Sequence, residues 1–213
     1  MTDAEKLDTP KPARKKAAAR QAGARARGEP KPRRRMPMTY FENAALYYLG
    51  RFASSSANLR RVLLRKVARQ AEEGTEAEAT GMVDELIARY LKSGLLDDQA
   101  YASQKAGSLA RRGTSRYSIA GKLAQKGVTA ALVKNTLQVM EDEGSSDVIA
   151  ACALTRRRRL GPYRSEEARP LWLKKDMATM ARAGFGFDIV KRILTLPDVA
   201  AVEALARGED IED

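Results

Sequence analysis

Three hexapeptides with the same order of apolar and polar residues recur along this 213-residue chain. They are MVDELI at 82–87, LVKNTL at 132–137 and IVKRIL at 189–194, and each has two apolar residues, two polar residues and a final apolar residue, with valine always second. Gly127 precedes the second hexapeptide by five residues, and Gly184 precedes the third by the same interval. Any amphipathic helix yields such a hexapeptide, but the shared offset from a glycine favours an internal repeat.

The spacing of the hexapeptides predicts the fold class. They start 50 and 57 residues apart, which leaves room for three short helices per repeat, the last of which carries the hexapeptide. A three-helix unit of this size buries little core alone, so neighbouring units must stack on shared faces. We therefore predict an all-α chain of tandem three-helix repeats that form an elongated curved array. The predicted units are residues 39–96, 97–143 and 144–197, between a basic tail at 1–38 and an acidic C-terminal end at 198–213.

Helix start and stop signals support this division. Side chains placed to cap helices are Thr39, Ser56, Thr75 in a capping box with Glu78, Asp97, Thr114 or Ser115, and Thr129. Glycines placed to end helices are Gly94, Gly113, Gly127 and Gly184. No alternation of apolar and polar residues typical of strands competes with this pattern.

Residues 1–38 differ in composition from the rest of the chain. They hold 12 lysines and arginines, 4 acidic residues, five prolines and few large apolar side chains. Such a segment cannot bury enough apolar surface to offset the entropy of ordering it, so we predict a disordered tail. The whole chain carries a net charge of +12, and an excess of this size attracts polyanions, most commonly nucleic acid.

The composition also argues against catalysis. Histidine is absent, which removes histidine-based acid–base chemistry and histidine-containing zinc sites, and no cofactor or phosphate-loop motif is present. Cys152 lies in an alanine-rich run and is interpreted as a small core residue, and Asp97 and Asp98 are interpreted as helix-capping groups. We predict a protein that is not an enzyme and has no cofactor or metal. Without an apolar run long enough for a membrane helix and without a signal core, the expected location is the cytoplasm.

The central part of the chain resembles the RecX family of regulatory proteins. The segments that carry the resemblance are Gly94–Asp98, Tyr101–Ala102, Arg111–Gly113, Ile119, Leu123 and Lys126–Val128, and residues 183–194 are similar to the family's final repeat. Ser56, Leu59, Leu63 and Lys66 resemble the first repeat more loosely, so the likeness covers roughly 39–197. A longer connection from Gly161 to Pro170 departs from the family pattern.

The resemblance implies a regulator of the RecA recombinase. A RecX-like protein binds within the groove of the RecA–single-stranded DNA filament and inhibits the ATPase, co-protease and strand-exchange activities of RecA. Homologous recombination, DNA repair and the SOS response are the processes that this implies. The implied partners are the RecA filament and single-stranded DNA, bound directly or through the filament, and we expect a monomer. The alternative is a basic helical nucleic-acid-binding protein without a filament partner.

Three basic clusters are the candidate contacts with DNA phosphates or with RecA carboxylates. The first surrounds the second helix of the middle unit, the second ends the first helix of the third unit, and the third spreads over the rest of that unit. Their members are Arg111, Arg112, Arg116 and Lys122; Arg156, Arg157, Arg158 and Arg159; and Lys174, Lys175, Arg182, Lys191 and Arg192.

Overall fold

The computed structural model describes residues 34–209, and within that range the chain forms ten α-helices, one 3-10 turn and no strand. The helices are α1 (Met38–Leu49), α2 (Ser56–Gln70), α3 (Glu76–Lys92), α4 (Asp98–Arg111), α5 (Arg116–Gln125), α6 (Ala130–Asp142), α7 (Asp147–Arg158), α8 (Ala168–Arg182), α9 (Phe187–Leu194) and α10 (Val199–Ala206). The 3-10 turn (Gly161–Tyr163) lies between α7 and α8. The prediction of an all-α fold is confirmed.

The helices group into three units, each with its own apolar core. Unit 1 consists of α1–α3, unit 2 of α4–α6, and unit 3 of α7–α9 with α10 packed against α7. Side chains with no exposed surface include Phe41, Leu59 and Leu63 in unit 1, Ile119 and Leu123 in unit 2, and Met180 and Ile193 in unit 3. Three separate cores that follow one another along the chain confirm the predicted tandem repeats.

Each hexapeptide lies in the third helix of its unit, which is α3, α6 or α9. Residues three apart lie on one face of a helix, so the second and fifth residues of the pattern point the same way. Both are buried in all three units, as Val83 and Leu86, Val133 and Thr136, and Val190 and Ile193. The repeated pattern is therefore the inward face of the third helix.

Thr136 stands where the other two units have an aliphatic residue. Its Oγ1 is buried and has no hydrogen-bond partner among the described residues, which costs on the order of 1 kcal/mol or more. We expect Thr136→Val to raise the free energy of unfolding by about 1 kcal/mol in urea denaturation, since valine keeps the shape and removes the unpaired hydroxyl. Thr155→Val is the control, because Thr155 Oγ1 donates to the Ala151 carbonyl at 2.8 Å. A Thr136→Val protein less stable than wild type would contradict the prediction.

The predicted caps at Asp97 and Thr129 are confirmed, and of the alternatives Thr114 and Ser115 it is Ser115 that caps α5. Each side chain accepts a hydrogen bond from the backbone N–H three residues further on, which satisfies one of the free donors of the first turn. The four glycines predicted to end helices all adopt positive φ, as Gly94, Gly113, Gly127 and Gly184.

Three other predicted caps are wrong. Helix α1 begins at Met38, one residue before Thr39, and has no side-chain cap. Ser55 caps α2, because the hydroxyl of Ser56 is directed to another unit. Thr75 caps nothing, since its hydroxyl donates to the Glu72 carbonyl. Its intended partner in a capping box, Glu78, forms an ion pair with Arg35 at 2.8 Å instead.

Residues 34–38 belong to the fold, although the sequence assigned them to the tail. Met36 is 2% exposed and contributes to the core of unit 1. Arg34 pairs with the chain at the end of α2: its N–H donates to the Gln70 carbonyl, and its carbonyl accepts from the Glu72 N–H. One buried methionine and two backbone hydrogen bonds anchor a segment whose composition alone predicts disorder. The rest of the predicted tail, residues 1–33, lies outside the described residues.

The long connection from Gly161 to Pro170 is held by a buried carboxylate. Asp176 is 1% exposed and accepts hydrogen bonds from the Arg164 guanidinium at 2.7 and 2.8 Å and from the Gly161 N–H at 3.0 Å. Burial acts to raise the pKa of Asp176, but the hydrogen bonds from Arg164 and Gly161 outweigh it and lower the pKa below its ordinary value. Asp176 therefore ties the connection to α8 as a carboxylate.

The acidic C-terminal end includes a helix that the sequence prediction did not contain. Helix α10 starts after Asp198, whose side chain accepts from the Ala201 N–H at 2.8 Å. Val202 and Leu205 are buried against unit 3. Unit 3 is therefore larger than a three-helix repeat.

Candidate nucleic-acid interface

The joint between units 2 and 3 is built from hydrogen bonds at the N-terminus of α5. Ser115, which caps that helix, donates its hydroxyl to the Ala183 carbonyl at 2.9 Å, in the residue before Gly184. The Arg116 N–H donates to Asp147 Oδ1, in the first turn of α7, at 2.8 Å. The first turn of a helix has free N–H groups, so a carboxylate from the next unit is well placed to accept from them.

The joint between units 1 and 2 repeats this arrangement. Ser55, the cap of α2, donates its hydroxyl to the Lys126 carbonyl in the residue before Gly127. The Ser56 N–H donates to Asp98 Oδ1 at 2.7 Å, and Asp98 is in the first turn of α4. Both joints thus use a capping serine, a carbonyl preceding a glycine and an aspartate at a helix N-terminus. Equivalent hydrogen bonds therefore connect each unit to the next.

A basic groove of about 430 Å³ opens at the joint between units 2 and 3. It brings together four cations that the sequence assigned to three separate clusters, and all four are exposed: Lys122, Arg157, Arg158 and Arg182. Each lies in the last turn of its helix, so the C-termini of α5, α7 and α8 converge here. Cations offset the negative end of each helix dipole while their charged groups remain in solvent.

Among the residues that the structure describes, hydroxyl groups line the groove and no carboxylate does. Thr114, Ser118 and Thr179 line it together with the cations, and none of its lining residues is acidic. The hydroxyls of Thr114 and Ser118 form with the guanidinium groups a donor set that suits phosphate oxygens, whereas Thr179 Oγ1 already donates to the Lys175 carbonyl at 2.8 Å. These hydroxyls could not be identified from the sequence, because they come from the start of α5 and from α8, which only the joint between the units brings together.

Arg116 is not available to the groove, although the sequence grouped it with Lys122. Its guanidinium forms an ion pair with Glu141 of α6 at 2.8 Å and also donates to the Leu137 carbonyl. The hydrogen bond with Glu141 raises the pKa of Arg116 and lowers that of Glu141. The side chain of Arg116 therefore connects two helices of unit 2.

The remaining predicted cations do not gather at one place. Arg111 and Arg156 lie in another cleft, beside α10, where Arg156 forms an ion pair with Glu203 at 3.4 Å. Lys175 lies over the Trp172 ring, with its Nζ 4.2 Å from the ring centroid. The other predicted contacts are exposed cations that do not line the basic groove, namely Arg112, Arg159, Lys174, Lys191 and Arg192.

The single cysteine is not set up to act as a nucleophile. Cys152 is 2% exposed, and burial, reinforced by the charge of Glu203, raises the pKa of its thiol to about 11, so the thiolate is suppressed. Residues 34–209 hold no cluster of acidic residues and cysteines suited to a metal ion. No helix within the same range has the length and apolarity needed to cross a bilayer.

Tandem three-helix units with an exposed basic groove between two of them define a helical-repeat protein. A family model described as RecX, second three-helix domain, matches residues 97–137. The chain is 43% identical over 171 residues to the regulatory protein RecX of Myxococcus xanthus. The aligned region covers 79% of this chain and 90% of the Myxococcus protein. It is also 29% identical over 169 residues to the regulatory protein RecX of Agrobacterium fabrum, an alignment that covers 79% of this chain and 89% of the Agrobacterium protein. The chain belongs to the RecX family. No solved structure gives a significant match.

Proposed function

We propose that this protein regulates RecA by binding within the groove of the RecA–single-stranded DNA filament, and that it restrains ATPase, co-protease and strand-exchange activity. Membership of the RecX family supports the choice of RecA as partner. The observation that carries the mode of binding is the convergence of Lys122, Arg157, Arg158 and Arg182 on one groove without an acidic residue. The protein acts in this proposal as a cytoplasmic monomer without catalysis of its own.

The charge arrangement favours an anionic partner. Four like charges around one groove repel one another, and a bound anion relieves that repulsion. Helix-dipole stabilisation accounts for one cation at each of the three helix C-termini, but α7 alone brings two to the groove, Arg157 and Arg158. Both DNA phosphates and RecA carboxylates fit guanidinium groups in a bidentate way. A groove between two units also lets one bound chain contact both of them.

Neutralising the groove should weaken RecA inhibition. The variant Lys122→Gln/Arg157→Gln/Arg158→Gln/Arg182→Gln should require at least about tenfold more protein for half-inhibition, since one lost charge-assisted contact costs on the order of 1.5 kcal/mol. The measurement is RecA ATPase turnover on single-stranded DNA, titrated with each protein at two salt concentrations. The dependence on salt should be shallower for the variant, because fewer counterions are displaced.

A matched control removes the same charge elsewhere. Arg65, Arg69, Lys92 and Lys134 are exposed and lie outside the groove, so their glutamine variant should inhibit RecA like wild type. Equal loss in both variants would mean that net charge acts and the groove does not. If wild-type protein binds single-stranded DNA but leaves RecA turnover unchanged at equimolar dose, the filament proposal fails. The alternative of a plain nucleic-acid-binding protein would then replace it.

A further inference from the structure

A second groove, of about 360 Å³, lies at the joint between units 1 and 2. One wall is the loop after α1, with Arg51, Phe52 and Ala53, and the other is one face of α4, with Tyr101, Gln104, Lys105 and Ser108. None of these lining residues is acidic, and neither Arg51 nor Lys105 forms an ion pair with another residue in the 34–209 range. The groove therefore combines positive charge with an aromatic ring and a carboxamide.

Phe52 is the unusual member of this set, because it is 56% exposed. It packs against Tyr48, with ring centroids 5.3 Å apart, and more than half of its surface faces solvent. Arg51 lies beside it, with its guanidinium carbon 4.8 Å from the centroid of the Tyr47 ring. Tyr47 is also exposed, so aromatic faces and a cation are presented together on this loop.

The repeat shows that the fold does not require an aromatic residue at this position. Phe52 precedes the joint serine Ser55 by three residues, and Arg112 precedes Ser115 by three. The second joint forms the same hydrogen bonds with Arg112 at that position. The exposed ring at Phe52 is therefore free to serve a ligand instead of the joint.

The position after Phe52 shows why the first joint is open. At the second joint the corresponding residue is Gly113, and a Cβ built there would lie 2.5 Å from the backbone nitrogen of Leu154. At the first joint the corresponding Ala53 carries a Cβ and lines a groove. The loop of unit 1 thus stands further from the next unit, and the space between them is accessible.

We propose that this groove binds an unpaired nucleobase of a single-stranded nucleic acid. The base stacks on Phe52, because every base has an apolar face that suits an aromatic ring. Gln104 donates to and accepts from the base edge, and Arg51 and Lys105 attract the flanking phosphates. The inference goes beyond the proposed function, since it assigns a base-binding site on a different joint and does not require a RecA filament.

The test compares two oligomers of equal length and phosphate number, oligodeoxythymidine and an abasic oligomer. Wild-type protein should bind the base-bearing oligomer at least about fivefold more tightly, which is the low end for one base–aromatic stack. Phe52→Leu keeps an apolar cover on Tyr48 but loses the ring, so it should bind both oligomers alike. Phe52→Tyr keeps the ring and should retain the preference. Fluorescence anisotropy of end-labelled oligomers gives the dissociation constants.

The outcomes separate this inference from the proposed function. The four-glutamine variant of the basic groove should bind both oligomers more weakly and keep the preference for bases. If wild-type protein binds the two oligomers equally, the base site is overturned, whatever happens to RecA turnover. If Phe52→Leu weakens RecA inhibition but leaves the oligomer preference intact, the loop contacts protein and the inference is wrong. Circular dichroism confirms folding of each variant, and the wild-type comparison alone decides the matter should Phe52→Leu unfold.

Discussion

Substituting Gly113 by alanine should destabilise the protein by about 3 kcal/mol, mainly by forcing units 2 and 3 apart. Gly113 has a φ of +73°, which costs an alanine on the order of 1 kcal/mol. The added Cβ would also lie 2.5 Å from the nitrogen and 2.6 Å from the Cα of Leu154 in α7. Those atoms are backbone and cannot rotate away, so overpacking adds about 2 kcal/mol.

Gly94→Ala is the matched control for that prediction. Gly94 also follows a helix and has a φ of +75°, but a Cβ there would meet nothing within 4 Å. It should therefore lose only the conformational part, about 1 kcal/mol. Urea denaturation of both variants gives the two free energies of unfolding. Equal losses would show that the joint accommodates a methyl group at Gly113.

Replacing Asp176 by asparagine should be comparably damaging, with a loss of about 3 kcal/mol in the free energy of unfolding. The substitution leaves Arg164 without its carboxylate partner, and breaking one side of a buried ion pair costs several kcal/mol. The Asp84→Asn control removes the partner of Arg60 at the surface, where both side chains are more than 40% exposed. Solvent screens that pair, so the control should lose less than about 1 kcal/mol.

The pH dependence of this second effect has a definite sign. The pKa of Asp176 is lower in the folded protein than its ordinary value, so the group stabilises the fold above the unfolded pKa of about 4. That contribution is lost as the pH falls through the folded pKa. The difference in stability between wild type and Asp176→Asn should therefore be constant near neutral pH and shrink below about pH 4. A difference that does not change with acidification would mean that Asp176 contributes by packing instead of by charge.

The sequence was sufficient to predict the periodic part of the fold. The hexapeptide pattern predicted the third helix of each unit, α3, α6 and α9, because an amphipathic helix repeats its apolar residues with the helical period. The caps at Asp97, Ser115 and Thr129 were also predictable, since they depend on residues within one turn. Residues 34–38 were wrongly assigned to the tail from composition. Their placement depends on one buried side chain, Met36, which hardly changes the average composition of the segment.

The candidate site was predictable only in part, because it is assembled across units. Lys122, Arg157, Arg158 and Arg182 were named from charge, but their convergence depends on how α5, α7 and α8 meet. Arg116 was grouped with them by sequence position, but because α5 packs on α6 its guanidinium forms an ion pair with Glu141. The Arg164–Asp176 pair was missed for the same reason, since it closes a connection of irregular backbone. Long-range pairing of this kind has no local pattern.

The repeated joint has a consequence for the motions of the chain. The N–H groups of Ser56 and Arg116 belong to the first turns of α2 and α5, where amides ordinarily face water and exchange their hydrogens quickly. Here each donates to an aspartate of the following unit, Asp98 or Asp147. Their hydrogens therefore exchange only when the bond to the next unit breaks. These two amides report instead how often neighbouring units separate, and each joint carries its own reporter.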